Sequence, residues 1–250
     1  MGFDGVFLDK IRFSSFGNGF EAAMGCFCER CGERYQKSGI DMNEFSKRMK
    51  LTDKSFLLPD AVENGRYRFA DPLIDKVYEV RSEIITDAVN DLAGHFRGLG
   101  MKVGLDVYAP MFSYWVGQDI GALSENADFI KTMLYRVTQA PAGIPYEAAC
   151  MVRQLRLRGC ESEGVLQRLW NIGDLCSPES LRRQIKAVSG ARCPVYAGFE
   201  INAKRDICHA DLNYVLQTAE VLERENAGRA VLSWDVLSDT QDFLESLADL

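Results

Sequence analysis

The chain has no run of some 18 apolar residues, so no membrane-spanning helix is expected. It has no basic stripe: 29 lysines and arginines against 36 aspartates and glutamates leave a formal net charge of −7 and a pI near 5.0. That balance argues against a nucleic-acid partner. Arg153, Arg156 and Arg158 form only a short cluster in a helical stretch, which reads as a solvated face. The N-terminus lacks the charged region, apolar segment and cleavage site of a signal peptide. Met1-Gly2 also lacks the Ser or Thr four residues on that myristoylation prefers. Eight cysteines in 250 residues are too few for a disulfide framework, and a reducing cytoplasm is the expected location. Cys150, Cys160, Cys176 and Cys193 are scattered and read as buried thiols. No internal repeat and no linker-like shift of composition interrupts the chain.

What remains is 47% hydrophobic, enough at this length for a large core. Strand-like and helix-like segments alternate. Residues 4–9 (DGVFLD) are short, apolar and strand-like. Asp71 and Pro72 then open a long helix, as N-cap and first helical residue. Its apolar residues Leu73, Val77, Val80, Ile84, Ala88, Leu92 and Phe96 recur at spacings of three or four. Further strands are expected over 102–110, 128–136, 194–202 and 229–237, with helices from Pro145, over 211–226 and at the C-terminus. Five strands separated by helices read as parallel βαβ units. Residues 10–70 form a long insertion after the first strand, with short helices expected at 29–38 and 43–50.

Every second strand residue shares a face, and the acidic and polar residues keep that parity. Gly5, Phe7 and Asp9 share it, as do Gly104, Asp106 and Tyr108; Lys131, Met133 and Tyr135; Gly198, Glu200 and Asn202; and Val231, Ser233 and Asp235. Carboxylates gathered at the C-terminal tips of parallel strands point to a (β/α)8 barrel, whose sites lie at that face. An open doubly wound sheet would need a glycine-rich nucleotide turn, and none follows any strand. With five strands in view, residues 1–250 are expected to be a barrel truncated to its last five β/α units. The missing part would be lost or supplied by another chain, with a homo-oligomer as one outcome.

Several segments carry a family resemblance. GFDGVFLDKIRF resembles a strand of glycoside-hydrolase-like barrel proteins, relatives of the α-amylase and family-42 β-galactosidase barrels. CFCERC, followed by Tyr35 and Gly39-Ile40-Asp41, is similar to a Cys-x-Cys-x-x-Cys insert in those families. VGLDVYAP, VGQDIGALSENADFIKTMLY, PAGIPYE and VLSWDVL resemble the same group. The resemblance implies a barrel of carbohydrate-active ancestry. It also implies a structural zinc at Cys26, Cys28 and Cys31, because a similar cysteine group holds one in family-42 β-galactosidases.

Glycoside hydrolysis needs two carboxyl groups flanking the scissile bond. If the last strand is the eighth, Asp9 ends the fourth and Glu200 the seventh. By resemblance these are the acid/base and nucleophile positions of retaining barrel glycosidases, whereas α-amylase relatives place a nucleophile where Asp9 stands. Asp106 and Asp235 are alternative second carboxylates. Arg12 would hold Asp9 ionised if it reaches it. Tyr135 and Asn202 could hydrogen-bond a sugar or the nucleophile, and Trp115 and Trp234 are either stacking platforms or core. Each candidate has a plainer alternative: Asp9 as a cap or turn residue, Asp235 bonding backbone, the cysteines as a packing face. Zinc prefers four ligands, so the trio needs a fourth, expected either in the missing N-terminal part of the barrel or at Cys208 or His209. Lys131 raises the alternative of a Schiff-base aldolase, and a barrel that binds carbohydrate without catalysis is the other.

Overall fold

The computed structural model describes residues 2–202, 206–225, 227 and 229–233. The apolar GVFL run forms strand β1 (Gly5–Leu8). The excursion that follows folds into α1 (Phe20–Met24), α2 (Glu29–Lys37) and α3 (Met42–Met49). The Asp41 carboxylate starts α3 by accepting from the Asn43 and Glu44 amides. A hairpin of β2 (Ala61–Glu63) and β3 (Arg66–Arg68) closes the excursion. Asn64 and Gly65 both take positive φ, 51° and 80°, which matches the twist of a two-residue hairpin turn.

Helix α4 (Pro72–Gly98) begins as the sequence implies, with Asp71 accepting from Leu73 and Ile74 and Pro72 in the first turn. Then come β4 (Lys102–Tyr108), the short α5 (Pro110–Ser113) and α6 (Ile120–Leu123), and β5 (Phe129–Met133). Helices α7 (Ile144–Arg156), α8 (Val165–Trp170) and α9 (Pro178–Ala187) lead to β6 (Val195–Glu200). Helix α10 (Leu212–Arg224) and β7 (Ala230–Ser233) follow. The last expected strand therefore begins where expected, while Trp234, Asp235 and the C-terminal helix lie outside the described residues. Among the described residues no helix is long and apolar enough to cross a membrane.

Five strands form one parallel half-barrel sheet in the order β1-β4-β5-β6-β7. Register pairs Leu8 with Leu105, Asp106 with Lys131, Met133 with Gly198 and Glu200 with Ser233. Laterally paired residues share a face, so the sheet has two sides of different character. Val103, Leu105, Val107, Ile130, Leu134, Ala197, Phe199 and Ile201 make the side buried in the core. The other side carries Phe7, Phe129, Lys131 and Tyr196. Phe7 stacks on Phe129 at 5.6 Å and Phe129 on Tyr196 at 5.2 Å, and Phe7 is 48% exposed. Two glycines make this side possible. A Cβ on Gly104 would lie 2.2 Å from the Phe129 ring, and one on Gly198 would lie 2.3 Å from the Lys131 chain.

One expected face proves wider than its apolar spacing implies, and one alternative is decided. Of the expected α4 stripe, Val77 and Val80 are buried and Leu73, Ile84 and Phe96 pack half-buried against the core, while Leu92 is exposed; Ile74, Tyr78, Arg81, Ile85, Val89 and Ala93 complete the buried face. The helix meets both the sheet and the excursion, which widens its buried arc and brings Arg81 into the middle. Trp115 is a core residue, 4% exposed, with Phe16, Tyr67, Phe69 and Tyr78 around its ring, so it offers no stacking platform. The excursion is part of the same core, contributing Phe13, Phe20, Tyr35, Phe45, Leu57 and Tyr67. Tyr67 fastens the hairpin to the strand-tip side of the molecule: its hydroxyl donates to Met111 O (2.8 Å) and accepts from Trp170 Nε1 (2.7 Å).

Candidate active site

The polar residues of the open side converge toward the strand tips. Lys131, in mid-strand on β5, has its ammonium 3.0 Å from Asp106 Oδ1 and 3.1 Å from Oδ2, and 2.5 Å from the Tyr135 hydroxyl. Lys131 is 5% exposed, so the three groups form a nearly dry cluster. Burial pushes the Asp106 carboxyl up, against the pull of Lys131, and the charge of Asp9 raises it further. Burial works against the charged form of Lys131, but Tyr135 and Asp106 outweigh it and the ammonium is held above its ordinary range. A Schiff-base lysine needs the opposite shift, since its amine must be free to attack. The geometry holds Lys131 as an ammonium paired with Asp106.

Asp9 follows β1 and is exposed. With Leu8 opposite Leu105, the next residues are Asp9, just past the end of β1, and Asp106, two residues before the end of β4, so the register brings the two carboxyl groups to neighbouring positions. Arg12 does not reach Asp9. Its guanidinium lies 4.3 Å over the Tyr108 ring and donates to Phe13 O (3.0 Å), and no ion pair joins it to a carboxylate among the described residues. The short turn through Lys10, at φ 61°, carries Arg12 across the tip of β4 instead. Gln118 clamps that arrangement by accepting from Tyr108 N (2.9 Å) and donating to Ile11 O (3.3 Å).

Beneath Arg12, the Tyr108 hydroxyl donates to Glu147 Oε1 (3.1 Å), which also accepts from Ala142 N (3.0 Å). Glu147 is 2% exposed in the first turn of α7. Burial, with the charge of Glu147, pushes the Tyr108 phenol up to about 12 against the pull of Arg12. Neither Glu147 nor Gln118 was a candidate from sequence, although Glu147 closes the quoted PAGIPYE segment and is the acidic residue in that helix's first turn.

Glu200 is inward at the tip of β6, as its parity implies, but it is 1% exposed and both oxygens are engaged. Oε1 accepts from Val137 N (2.7 Å) and Thr138 Oγ1 (3.1 Å); Oε2 accepts from the Tyr214 hydroxyl (2.6 Å). The loops after β5 and β6 close over it through a bridge between Thr138 and Cys208 and a bond from Gln139 N to Ile207 O (2.6 Å). Arg136 packs 4.6 Å from the Tyr214 ring and donates to Thr218 Oγ1 (2.6 Å), completing a buried network. Asn202 stands half-buried two residues on, its carbonyl accepting from Ala210 N (3.1 Å). Of the candidates, Asp9, Asp106, Lys131 and Tyr135 thus gather on one side of the rim. Glu200 is drawn into the loop anchor, and Trp234 and Asp235 lie outside the described residues.

The Sγ atoms of Cys26, Cys28 and Cys31 all lie within 4.8 Å of one another at the start of α2. Among the described residues no fourth ligand joins them at that spacing. Cys208, offered as the fourth, is instead buried at the bridge over Glu200, and His209 is exposed beside it. All eight cysteines are unpaired.

No protein-family model and no curated protein matches the chain. Among solved structures it is similar to the glycoside hydrolase domain of PgaB (BpsB) from Bordetella bronchiseptica, with a TM-score of 0.45 and 16% identity. The similarity covers 72% of this chain and 45% of that one, so the chain spans less than half the length of the structure it matches.

Proposed function

We propose that the half-barrel belongs to a (β/α)8 glycoside-hydrolase-type domain that cleaves a carbohydrate with carboxyl groups at its C-terminal rim. The observation that supports this reading is that Asp9, just past the end of β1, stands beside Asp106 of β4, whose carboxyl its charge raises. The two differ in setting, one exposed and one raised by burial. Carboxyl groups held in unlike environments are how one site supplies both an acid and an anion. In this reading Asp9 is the exposed carboxyl facing the sugar. Asp106 is the carboxyl poised higher, and Lys131 and Tyr135 fix its position. Arg12 and Asn202 line the same rim for sugar hydroxyls. The three strands that would close the barrel would cover the side bearing Phe7. A reducing cytoplasm remains the proposed location, in keeping with eight unpaired thiols.

One observation favours a second reading, a barrel that binds carbohydrate without cleaving it. Glu200, the expected partner of Asp9, has both oxygens committed to protein donors. A panel of aryl glycosides and oligosaccharides assayed with the wild type, Asp9→Asn and Asp106→Asn separates the two. Hydrolysis reduced by about 10²-fold or more in each variant is expected. Retained polysaccharide binding with no turnover by the wild type would favour the binding reading.

A further inference from the structure

A cavity of about 350 Å³ opens within the excursion, where α1 and α3 meet the turn after α7. That volume is at the small end of the roughly 300–1,000 Å³ typical of small-molecule sites. Helix α1 supplies Phe20 and Met24 and α3 supplies Phe45 and Met49, and the space between them stays open. Phe20, Met24 and Phe45 are buried. Phe27 also lines the cavity; its ring lies 5.6 Å from that of Phe45 yet is 52% exposed.

The same apolar cavity is lined by a buried cation. Lys54 is 7% exposed, and its ammonium, which carries several donors, gives one to Leu51 O. Its backbone is fixed by Cys160, whose thiol donates to Lys54 O (3.1 Å). The carboxylates at hand are spent elsewhere. Asp53, the preceding residue, accepts from Ser55 N (2.8 Å) and Ser55 Oγ (3.2 Å). Glu21, on the exposed edge of the cavity, pairs with Arg158, whose guanidinium lies 4.9 Å from the Phe20 ring. A carbonyl dipole does not cancel a formal charge, and a cation held out of water without a counter-ion is costly.

We propose that this cavity binds a small organic carboxylate with an apolar body, a single aromatic ring or a short alkyl chain. The carboxylate pairs with the Lys54 ammonium through the donors that Leu51 O leaves free. The body lies between Phe20 and Phe45 and covers part of the exposed Phe27 ring. Charge complementarity sets the class of ligand. A neutral apolar molecule would leave the ammonium uncompensated, and a sugar would set hydroxyls against aromatic and thioether walls that offer them no partner. No lining residue belongs to a strand, so the site is separate from the strand-tip rim and does not depend on how the rim is read.

Isothermal titration calorimetry of the full-length chain tests it, with phenylacetate and octanoate as probes and phenylacetamide and octanamide as their neutral counterparts. Saturable binding of at least one acid is expected, with its amide weaker by roughly 10–100-fold, the range of a hydrogen bond to a charged group. This comparison needs no variant, so it stands even if a substitution fails to fold. Lys54→Met should bring the acid down to the affinity of its amide and leave the amide unchanged. Phe27→Ala, at an exposed position, should weaken acid and amide alike while the far-ultraviolet dichroism stays that of the wild type. Asp9→Asn should bind the acids as the wild type does, which separates this site from the rim. No heat of binding with either acid would overturn the site. Equal affinity for acid and amide would overturn the pairing with Lys54, and unaltered acid binding in folded Lys54→Met and Phe27→Ala would place the ligand elsewhere and overturn the assignment.

Discussion

Glu200 shows how a side chain can satisfy a sequence pattern and still do a different job. A carboxylate in the apolar strand VYAGFE invites a functional reading because an unpaired buried charge is expensive. Here it is paired, with two loop donors and a tyrosine from α10. Glu200→Ala is expected to destabilise the chain by about 3 kcal/mol, because it orphans the Val137 amide and the Tyr214 hydroxyl. Glu200→Gln keeps an acceptor for the loop and should cost about 1–2 kcal/mol. Urea unfolding of the two variants checks the order. If Glu200→Gln matches the wild type in stability but loses hydrolysis by about 10²-fold, Glu200 is the catalytic carboxylate after all. The Asp106–Lys131 pair makes a second prediction. Removing the ammonium in Lys131→Met withdraws the one nearby charge that favours ionised Asp106 and leaves that of Asp9 opposing it. The Asp106 carboxyl should then titrate higher than in the wild type, as followed by carboxyl carbon NMR. A carboxyl raised in the folded state holds its proton more tightly than the unfolded chain does. Its stabilising contribution is therefore complete below the unfolded value and is lost as pH rises through the folded one. Lys131→Met should lose stability over a wider interval of rising pH than the wild type. An Asp106 titration that stays put would mean that Lys131 does not govern it.

Elements with one dominant physical cause were legible in the sequence, and those with several were not. The start of α4 was legible because an Asp-Pro cap acts through its own first turn, and α10 for the same reason through Asp211. The strands and their shared parity were legible because a half-buried sheet imposes a period of two on each strand. The hairpin was missed although its Asn-Gly turn is a strong local signal; its strands are only three residues each, too short to show alternation. Helices α8 and α9 were hidden in a polar stretch, where burial falls on Ser180 and Gln184 as well as on Leu166, Trp170 and Leu181. The α4 face is wider than its apolar spacing implies, because hydrophobicity alone excludes Arg81 while the fold buries it between two layers. The site divides in the same way. Asp106 and Lys131 were candidates by parity alone, whereas Gln118, Glu147 and Tyr214 reach the rim from other elements. No spacing within their own segments shows such contacts.

At the scale of the whole molecule, the half-barrel leaves one side of its sheet unlike the other. The side facing the helices is filled by buried apolar residues, but the opposite side holds a stacked row of Phe7, Phe129 and Tyr196 with Phe7 half in solvent. Among the described residues β1 also has a partner strand on one edge only. Its four residues, GVFL, carry neither charge nor proline to discourage further pairing. An open strand edge beside an exposed aromatic row favours association, since both are satisfied by another strand layer. The 250-residue chain is therefore expected to form dimers or larger species whose mass rises with concentration in sedimentation experiments. Phe7→Glu places a charge on the row at a position that is already 48% exposed. It should shift the population toward monomer while the far-ultraviolet dichroism stays unchanged. A wild-type chain that sediments as a single monomer across the whole concentration range would show that this side is covered within the chain itself, and the half-barrel would then need no second layer.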